Sequence, residues 1–465
     1  MTLKAQALKS LKWTTTSAIA CSVLQVARMA ILARLIARED FGLFATIAVI
    51  LGFADFFVEA GLGSAIIHKQ DATEEDLASA YTINILLGWL VFAALYLLSS
   101  PIAGFYNDSR LIGLLHLATL VFLFQPLGRQ YDALLRRDLK LDTLAKLEMF
   151  AAFIGFASSL CFAFYGLAVR ALIYSQLLTT LIHVMLLLRI GIRTYGFRIG
   201  FSYRRARFFL RFGVFQICEN AVNYLNTQLD SILIGKLLGQ EALGVFYMAK
   251  QLAFRPLQII NPILTRISFP VFAKVQNDTT RLKRGFLQVV HSLALIQFAL
   301  FTLIAAFSDV IVSIFLGNNW SEAAHLLKIL AFYTMLRSIG NPVGSLLLAK
   351  GRVDVGLYWN IGMLFYTPPI VIFASKWGAT GIAWGLLFAM IGSLVPGWYF
   401  LVRKLCGASF SEYFSGLTKT ALLVTICFGP SFLLANPGAR LTTAAIGFCC
   451  YLWYNHPTIK RLLKT

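Results

Sequence analysis

Apolar runs of about twenty residues, the length a helix needs to cross a bilayer, follow one another along the whole chain, and polar residues fill the short gaps between them. The pattern predicts about fourteen membrane-spanning helices, at 13–37, 41–67, 79–101, 111–131, 144–164, 167–189, 210–236, 243–269, 286–314, 321–349, 354–375, 378–402, 413–435 and 438–456. The first two runs fold back on each other at Arg38-Glu39-Asp40, giving a helical hairpin with ionisable residues inside it. A diverged copy lies 202 residues further on: RLIAREDFGLFA aligns with KLLGQEALGVFY, so that Leu35, Glu39, Gly42 and Phe44 meet Leu237, Glu241, Gly244 and Phe246.

Composition turns this pattern into a class. Of 465 residues, 58% are hydrophobic and 13% charged, whereas a soluble domain is about a quarter charged. The chain reads as an all-α polytopic membrane protein. The net charge of +20 would suggest nucleic acid in a soluble protein, but here the cations fall between apolar runs and no basic soluble module with stacking aromatics exists. Lys and Arg crowd alternate gaps, as at Arg136, Arg137 and Lys140, Arg189 to Arg211, and Arg403 and Lys404. The excess is about four to one, which places those gaps and both termini on the cytoplasmic side.

Six crossings then separate the two copies of the hairpin, which makes the halves parallel repeats about an axis along the membrane normal. The expected division is an N-lobe of helices one to six at residues 1–189, a basic cytoplasmic linker at 190–209, a C-lobe of helices seven to twelve at 210–402, and two further helices at 413–456. No gap exceeds roughly twenty residues, too short for a soluble catalytic domain.

The informative residues are those that do not belong in lipid. In span seven, Gln216, Asn220, Asn223, Thr227 and Asp230 recur at intervals of four, three, four and three, which puts them on one helix face that lipid cannot satisfy. Counting at 1.5 Å per residue from the turn at Gly239-Gln240 places Asp230 and Lys250 at the same depth, about 15 Å down. Arg255 lies deeper, with Gln251 and Gln258 on its face. In the first copy, Arg28 and Asp55 lie at similar depths, with Glu59 one turn below Asp55. Arg28–Asp55 and Asp230–Lys250 read either as structural pairs or as the lining of a transport cavity, since intramembrane charges are rare and face interiors or water. Arg337, beside Ser338 and Asn341-Pro342, is a further candidate, either in the cavity or at a helix break.

Other polar groups have plainer readings. His116, His183 and His291 are single imidazoles on apolar faces and read as packed. The acidic run from Asp71 to Asp76 reads as a solvated loop and helix cap. The seven cysteines show no ligand spacing and behave as small hydrophobes. Pro256, Pro262, Pro342 and Pro368-Pro369 predict bends in spans eight, ten and eleven. There is no GxxxxGK[ST], HExxH or GxSxG, so no catalytic constellation, metal site or cofactor is expected.

The stretches ARLIAREDFGLFATI, GLGSAIIHKQDATEEDLASAYTINILLG and DSILIGKLLGQEALGVFYMAKQL resemble the polysaccharide-transporter (Wzx/WzxC-like) branch of the multidrug/oligosaccharidyl-lipid/polysaccharide (MOP) flippase superfamily. The resemblance covers essentially the whole chain. It implies a MOP/MATE-like fold, a bacterial inner-membrane location, and movement of an undecaprenyl-pyrophosphate-linked oligosaccharide by alternating access of two lobes. Polymerase and chain-length proteins of the same pathway would be partners. On that reading, Arg28, Lys250, Arg255 and Arg337 would supply cations for the pyrophosphate. Asp55, Glu59 and Asp230 would hold those cations when substrate is absent or carry a coupling proton or sodium ion. The nearest alternatives are a cation-coupled small-molecule exporter or a peptidoglycan-lipid flippase of the same fold. A membrane polysaccharide polymerase fits less well, because the outer gaps are short.

Overall fold

The computed structural model describes residues 3–59, 66, 73–197, 199–434 and 436–462. Most of these residues are helical, and no strand is present among them. The helices are α1 (Leu3–Leu35), α2 (Arg38–Glu59), α3 (Glu74–Tyr106), α4 (Arg110–Ala118), α5 (Val121–Arg137), α6 (Leu141–Phe164), α7 (Ala168–Tyr195) and α8 (Tyr203–Lys274). They continue as α9 (Thr279–Ala306), α10 (Ser308–Phe315), α11 (Ser321–Ser338), α12 (Asn341–Ala349), α13 (Val353–Ala374), α14 (Gly378–Gly397), α15 (Phe410–Phe428) and α16 (Pro437–Leu462). Among the described residues nine stretches are long and apolar enough to cross a membrane; Asn220–Asn261 overlaps two of the expected spans and Asp354–Cys406 contains two.

Element boundaries follow local chemistry. Thr73 caps α3: its hydroxyl accepts from the Asp76 amide while the Asp76 carboxylate accepts from the Thr73 amide, a reciprocal box that satisfies two orphan donors. The acidic run therefore does cap a helix at Asp76, while Asp71 and Ala72 lie outside the described residues. Spans seven and eight are one helical run, α8, broken only at Gly239 with φ 86° and ψ 177°, a conformation glycine adopts without steric cost. Span ten breaks as its proline predicts, with Pro342 in the first turn of α12.

Other breaks carry weaker sequence signals. Span four divides at Thr119-Leu120 into α4 and α5, and α14 passes after Pro396 into a π-helical stretch at Trp398–Arg403. Pro368 and Pro369 stay inside α13 without ending it.

The chain forms two compact units, one of residues Met1–Tyr247 with Phe315–Gly317, the other of Met248–Ile314 with Asn318–Thr465. In the first, α6 packs between α1 and α7, and α5 packs against α3 and α7. Its main core joins Leu43, Ile47 and Leu51 of α2 to Leu111 and Leu115 of α4, Phe122 of α5 and Ile173 of α7. In the second, α9 packs against α11 and α15, and α14 packs against α11 and α13. Its core centres on Phe272, Phe286, Val290, Leu346 and Phe428, all essentially inaccessible.

Both copies of the hairpin crest meet inside the first unit. A Cβ on Gly42 would lie 1.8 Å from the Gln240 carbonyl oxygen, and one on Gly244 would lie 1.9 Å from the Arg38 carbonyl oxygen. Gln240 is the repeat equivalent of Arg38, so the contact is reciprocal. Thr46 Oγ1 donates to Gln240 Oε1 at 2.9 Å, and Arg38 approaches Glu241 at 3.9 Å. Further along α2, Tyr224 of α8 donates its hydroxyl to the Val49 carbonyl at 3.1 Å, across a gap that Gly52 leaves open.

Candidate substrate-binding site

In the first unit, Arg28 projects from α1 onto α7, donating to Ser175 Oγ at 2.7 Å and to the Leu172 carbonyl at 3.5 Å. Asp55 of α2 instead takes an ion pair from Arg129 of α5. The expected Arg28–Asp55 pair is therefore corrected: both residues sit within the bilayer-spanning region, but α1 turns Arg28 toward α7 rather than α2. Arg129 was missed because it falls near the expected end of span four at residue 131 and reads as interfacial. Helix α5 continues to Arg137, so Arg129 lies two turns inside it. Ser175 carried no signal beyond being a hydroxyl in an apolar run, which more often bonds back to its own helix, as Ser175 also does to Leu172.

The polar stripe of α8 changes character along its length. Asn223 is exposed, Asn220 and Thr227 are half-buried, and Asp230 is buried. The side chain of Gln216 lies outside the described residues. Thr227 donates back to the Asn223 carbonyl at 2.8 Å. The Asp230 carboxylate accepts from the Ser231 amide at 2.6 Å and from the Ser231 hydroxyl at 3.2 Å. Glu59 ends α2 and is exposed.

In the second unit, two cations from separate helices converge on one ring. Lys250, buried on α8, sits 5.8 Å from the centroid of Phe254. The Arg337 guanidinium, from α11, lies 5.8 Å from the same centroid. Arg337 Nη1 also donates to the hydroxyl of Tyr333 at 2.9 Å, and Tyr333 tilts against Phe254 with centroids 6.1 Å apart. Helical spacing makes this possible: Lys250 and Phe254 are four apart on α8, Tyr333 and Arg337 four apart on α11, and such pairs share a face. One residue further on, Arg255 donates to Gln258 Oε1 at 3.2 Å. On the deeper turn, Asn341 Nδ2 donates to Asn261 Oδ1, tying α12 to α8. Asp230 belongs to the first compact unit and Lys250 to the second.

A cation gains up to about 2 kcal/mol over a desolvated aromatic face, but two cations drawn to one ring repel each other in a medium less polar than water. An anion placed between them offsets that repulsion. Arg presents a fork that fits phosphate, and Lys a point charge. Among the described residues no group of His, Cys, Asp and Glu is arranged to hold a metal ion. Two of the imidazoles have packing surroundings: His116 stacks on Tyr96 at 3.8 Å and shares a hydrogen bond with Ser99 at 2.8 Å, and His291 lies 3.3 Å from the Tyr413 carbonyl; His183 Nε2 is buried with no hydrogen-bond partner among the described residues.

These helices and the duplicated hairpin define a multi-pass membrane protein with the MOP-superfamily fold. The chain superposes on the lipid II flippase MurJ in an inward closed conformation with a TM-score of 0.76, covering 97% of this chain and 100% of that one at 14% identity. It also superposes on an inward-facing multidrug resistance MATE family transporter of the MOP superfamily, with a TM-score of 0.63 over 88% of this chain and 95% of that one at 14% identity.

The family model for polysaccharide biosynthesis proteins matches residues 31–325, and the chain belongs to that family. It is 32% identical to the teichuronic acid biosynthesis protein TuaB of Bacillus subtilis (strain 168), over 96% of this chain and 95% of that protein. It is 30% identical to the lipopolysaccharide biosynthesis protein WzxC of Escherichia coli (strain K12), over 90% and 85%.

Proposed function

We propose that this protein is a flippase that moves an undecaprenyl-pyrophosphate-linked oligosaccharide, the repeat unit of a cell-surface polysaccharide, across the bacterial inner membrane by alternating access. The observation that carries the reading is the convergence of Lys250 and Arg337 on Phe254, two cations from separate helices and far in sequence from each other. A pyrophosphate is the anion that such a pair accommodates, and charge-assisted hydrogen bonds from a fork and a point charge are strong where water is scarce. Family membership supports the same direction, since relatives are named for teichuronic acid and lipopolysaccharide biosynthesis.

In the mechanism we infer, the pyrophosphate engages Lys250 and Arg337 of the second unit, with Arg255 nearby on the same helix; Arg28 of the first unit is a further cation within a span. Asn223, exposed on α8, with the half-buried Asn220 and Thr227, offers hydrogen-bonding groups to the sugar. The glycine contact between the two hairpin crests parts during the transport cycle. The Asp55–Arg129 pair offers a carboxylate whose protonation, or exchange for sodium, would couple transport to a gradient. No covalent step is involved.

Deletion of the chain in its own organism tests this reading. Lipid-linked repeat unit should accumulate in the inner leaflet while surface polymer disappears. Normal export in the deletion strain would contradict it.

A further inference from the structure

A separate cavity, of about 500 Å³, lies in the second unit between α13, α14 and the π-helical stretch Trp398–Arg403. Its walls are aromatic, with Tyr358, Trp359, Tyr366 and Phe400 among them. Glycine and an irregular helix make the room. A Cβ on Gly362 would meet nothing within 4 Å, whereas one on Gly392 would lie 2.5 Å from the Tyr366 hydroxyl. Pro396 removes a helix hydrogen bond just before the π-helical stretch, and such π segments recur at functional sites.

One end of this cavity is charged. Arg352, Asp354 and Lys404 line it, where α13 begins and the helical run containing α14 ends. Two antiparallel neighbours therefore bring these groups to the same membrane face. Arg352 engages Asp354 with two nitrogens, at 2.9 and 3.0 Å, which cancels that carboxylate. Lys404 makes no ion pair among the described residues, so with Arg403 beside it the end carries a net positive charge. The adjacent Arg403 guanidinium stacks on Trp398 and Tyr399 at 5.9 and 5.4 Å. Next to this end the walls open outward, with Tyr358 70% and Phe400 55% exposed.

We propose that this cavity binds an anionic glycerophospholipid, its phosphodiester at Lys404 and an acyl chain along the aromatic wall. Charge selects the ligand. An anionic glycerophospholipid head carries a net negative charge and is drawn to this positive end, whereas a zwitterionic head has no net charge to offer. Basic pockets between membrane helices at a membrane face are a general way of holding anionic lipid heads. The site is independent of the flippase reading, because it requires only the bilayer.

Native mass spectrometry of the purified full-length protein, titrated with phosphatidylglycerol or phosphatidylcholine of the same chain length, tests the proposal. Phosphatidylglycerol should be retained in preference, and Lys404→Ala should lower its retention by about fivefold, with Lys404→Arg restoring it. Gly362→Leu, which fills the cavity and leaves every charge in place, should lower retention equally with no loss of thermal stability. Equal retention of the two lipids, or retention unchanged in both Lys404→Ala and Gly362→Leu, would overturn the site. Displacement of phosphatidylglycerol by equimolar undecaprenyl phosphate would overturn the choice of ligand.

Discussion

Gly42 and Gly244 stand 202 residues apart, and each presses the other copy's hairpin crest so closely that neither position has room for a methyl group. The first faces the Gln240 carbonyl and the second the Arg38 carbonyl, which are themselves repeat equivalents. A duplicated sequence has become a contact with local two-fold character, in which each copy supplies one glycine and one carbonyl.

Alanine at either glycine would force the crests apart, and overpacking of this kind costs about 1–3 kcal/mol. The contact can be read directly with a short bifunctional reagent between Thr46→Cys and Gln240→Cys, whose native side chains are bonded at 2.9 Å. Cross-linking should be efficient in the double-cysteine protein and fall several-fold when Gly42→Ala or Gly244→Ala is added. Locking the crests should also stop polymer export. Export that continues with the crests fully cross-linked would show that they need not part.

Removing one cation from the Phe254 cluster should abolish export with insertion unchanged, and Lys250→Ala and Arg337→Ala should behave alike. Arg337→Lys keeps the charge and loses the fork that reaches Tyr333, so partial export is expected. Phe254→Leu removes an attraction of about 0.5–2 kcal/mol per cation and should weaken substrate binding without eliminating it. Polymer yield on complementation of a deletion strain measures all four.

Asp55→Asn leaves Arg129 without its counter-charge in a partly buried position. Breaking a fully buried pair costs about 3–5 kcal/mol, and the roughly one-third exposure of Asp55 discounts this to about 1–3 kcal/mol. Arg129→Gln in the same background should recover much of the lost thermal stability. Transport by wild type in vesicles should respond to collapse of a proton or sodium gradient, and Asp55→Asn should lose that response. Indifference of wild type to both gradients would remove the coupling role.

Outside the spans, Lys283 and the Ser409 cap hold the Glu412 carboxyl down at about 2, the Lys283 hydrogen bond being the largest cause. A depressed carboxyl stabilises the fold above its unfolded value of about 4.3, and that contribution is lost as pH falls from there toward 2. Thermal unfolding of the purified protein should therefore drop across this window. The drop should be smaller for Glu412→Gln, and an identical pH dependence in the variant would contradict the assignment.

Much of this architecture is legible in the sequence, because bilayer thickness and periodicity leave few choices. The turn at Gly239, the break before Pro342 and the copied crest all follow from local chemistry. Depth counting also places Arg28, Asp55, Lys250 and Arg255 within spans. Counting gives height along a helix, though, and says nothing about which neighbour a face meets. Arg28 consequently pairs with Ser175 rather than Asp55, and Arg129 escapes notice. The meeting of Lys250 with Arg337 is equally invisible, since 87 residues and several turns of packing intervene.

The most direct test asks which leaflet holds the substrate. Sealed vesicles of known orientation can be loaded with lipid-linked repeat unit and treated with a membrane-impermeant reagent that modifies its sugar. Wild-type protein should move the substrate to the opposite leaflet, and Lys250→Ala/Arg337→Ala should leave it where it began. Equal movement by wild type and the double variant, or none by wild type, would contradict a flippase built around these two cations.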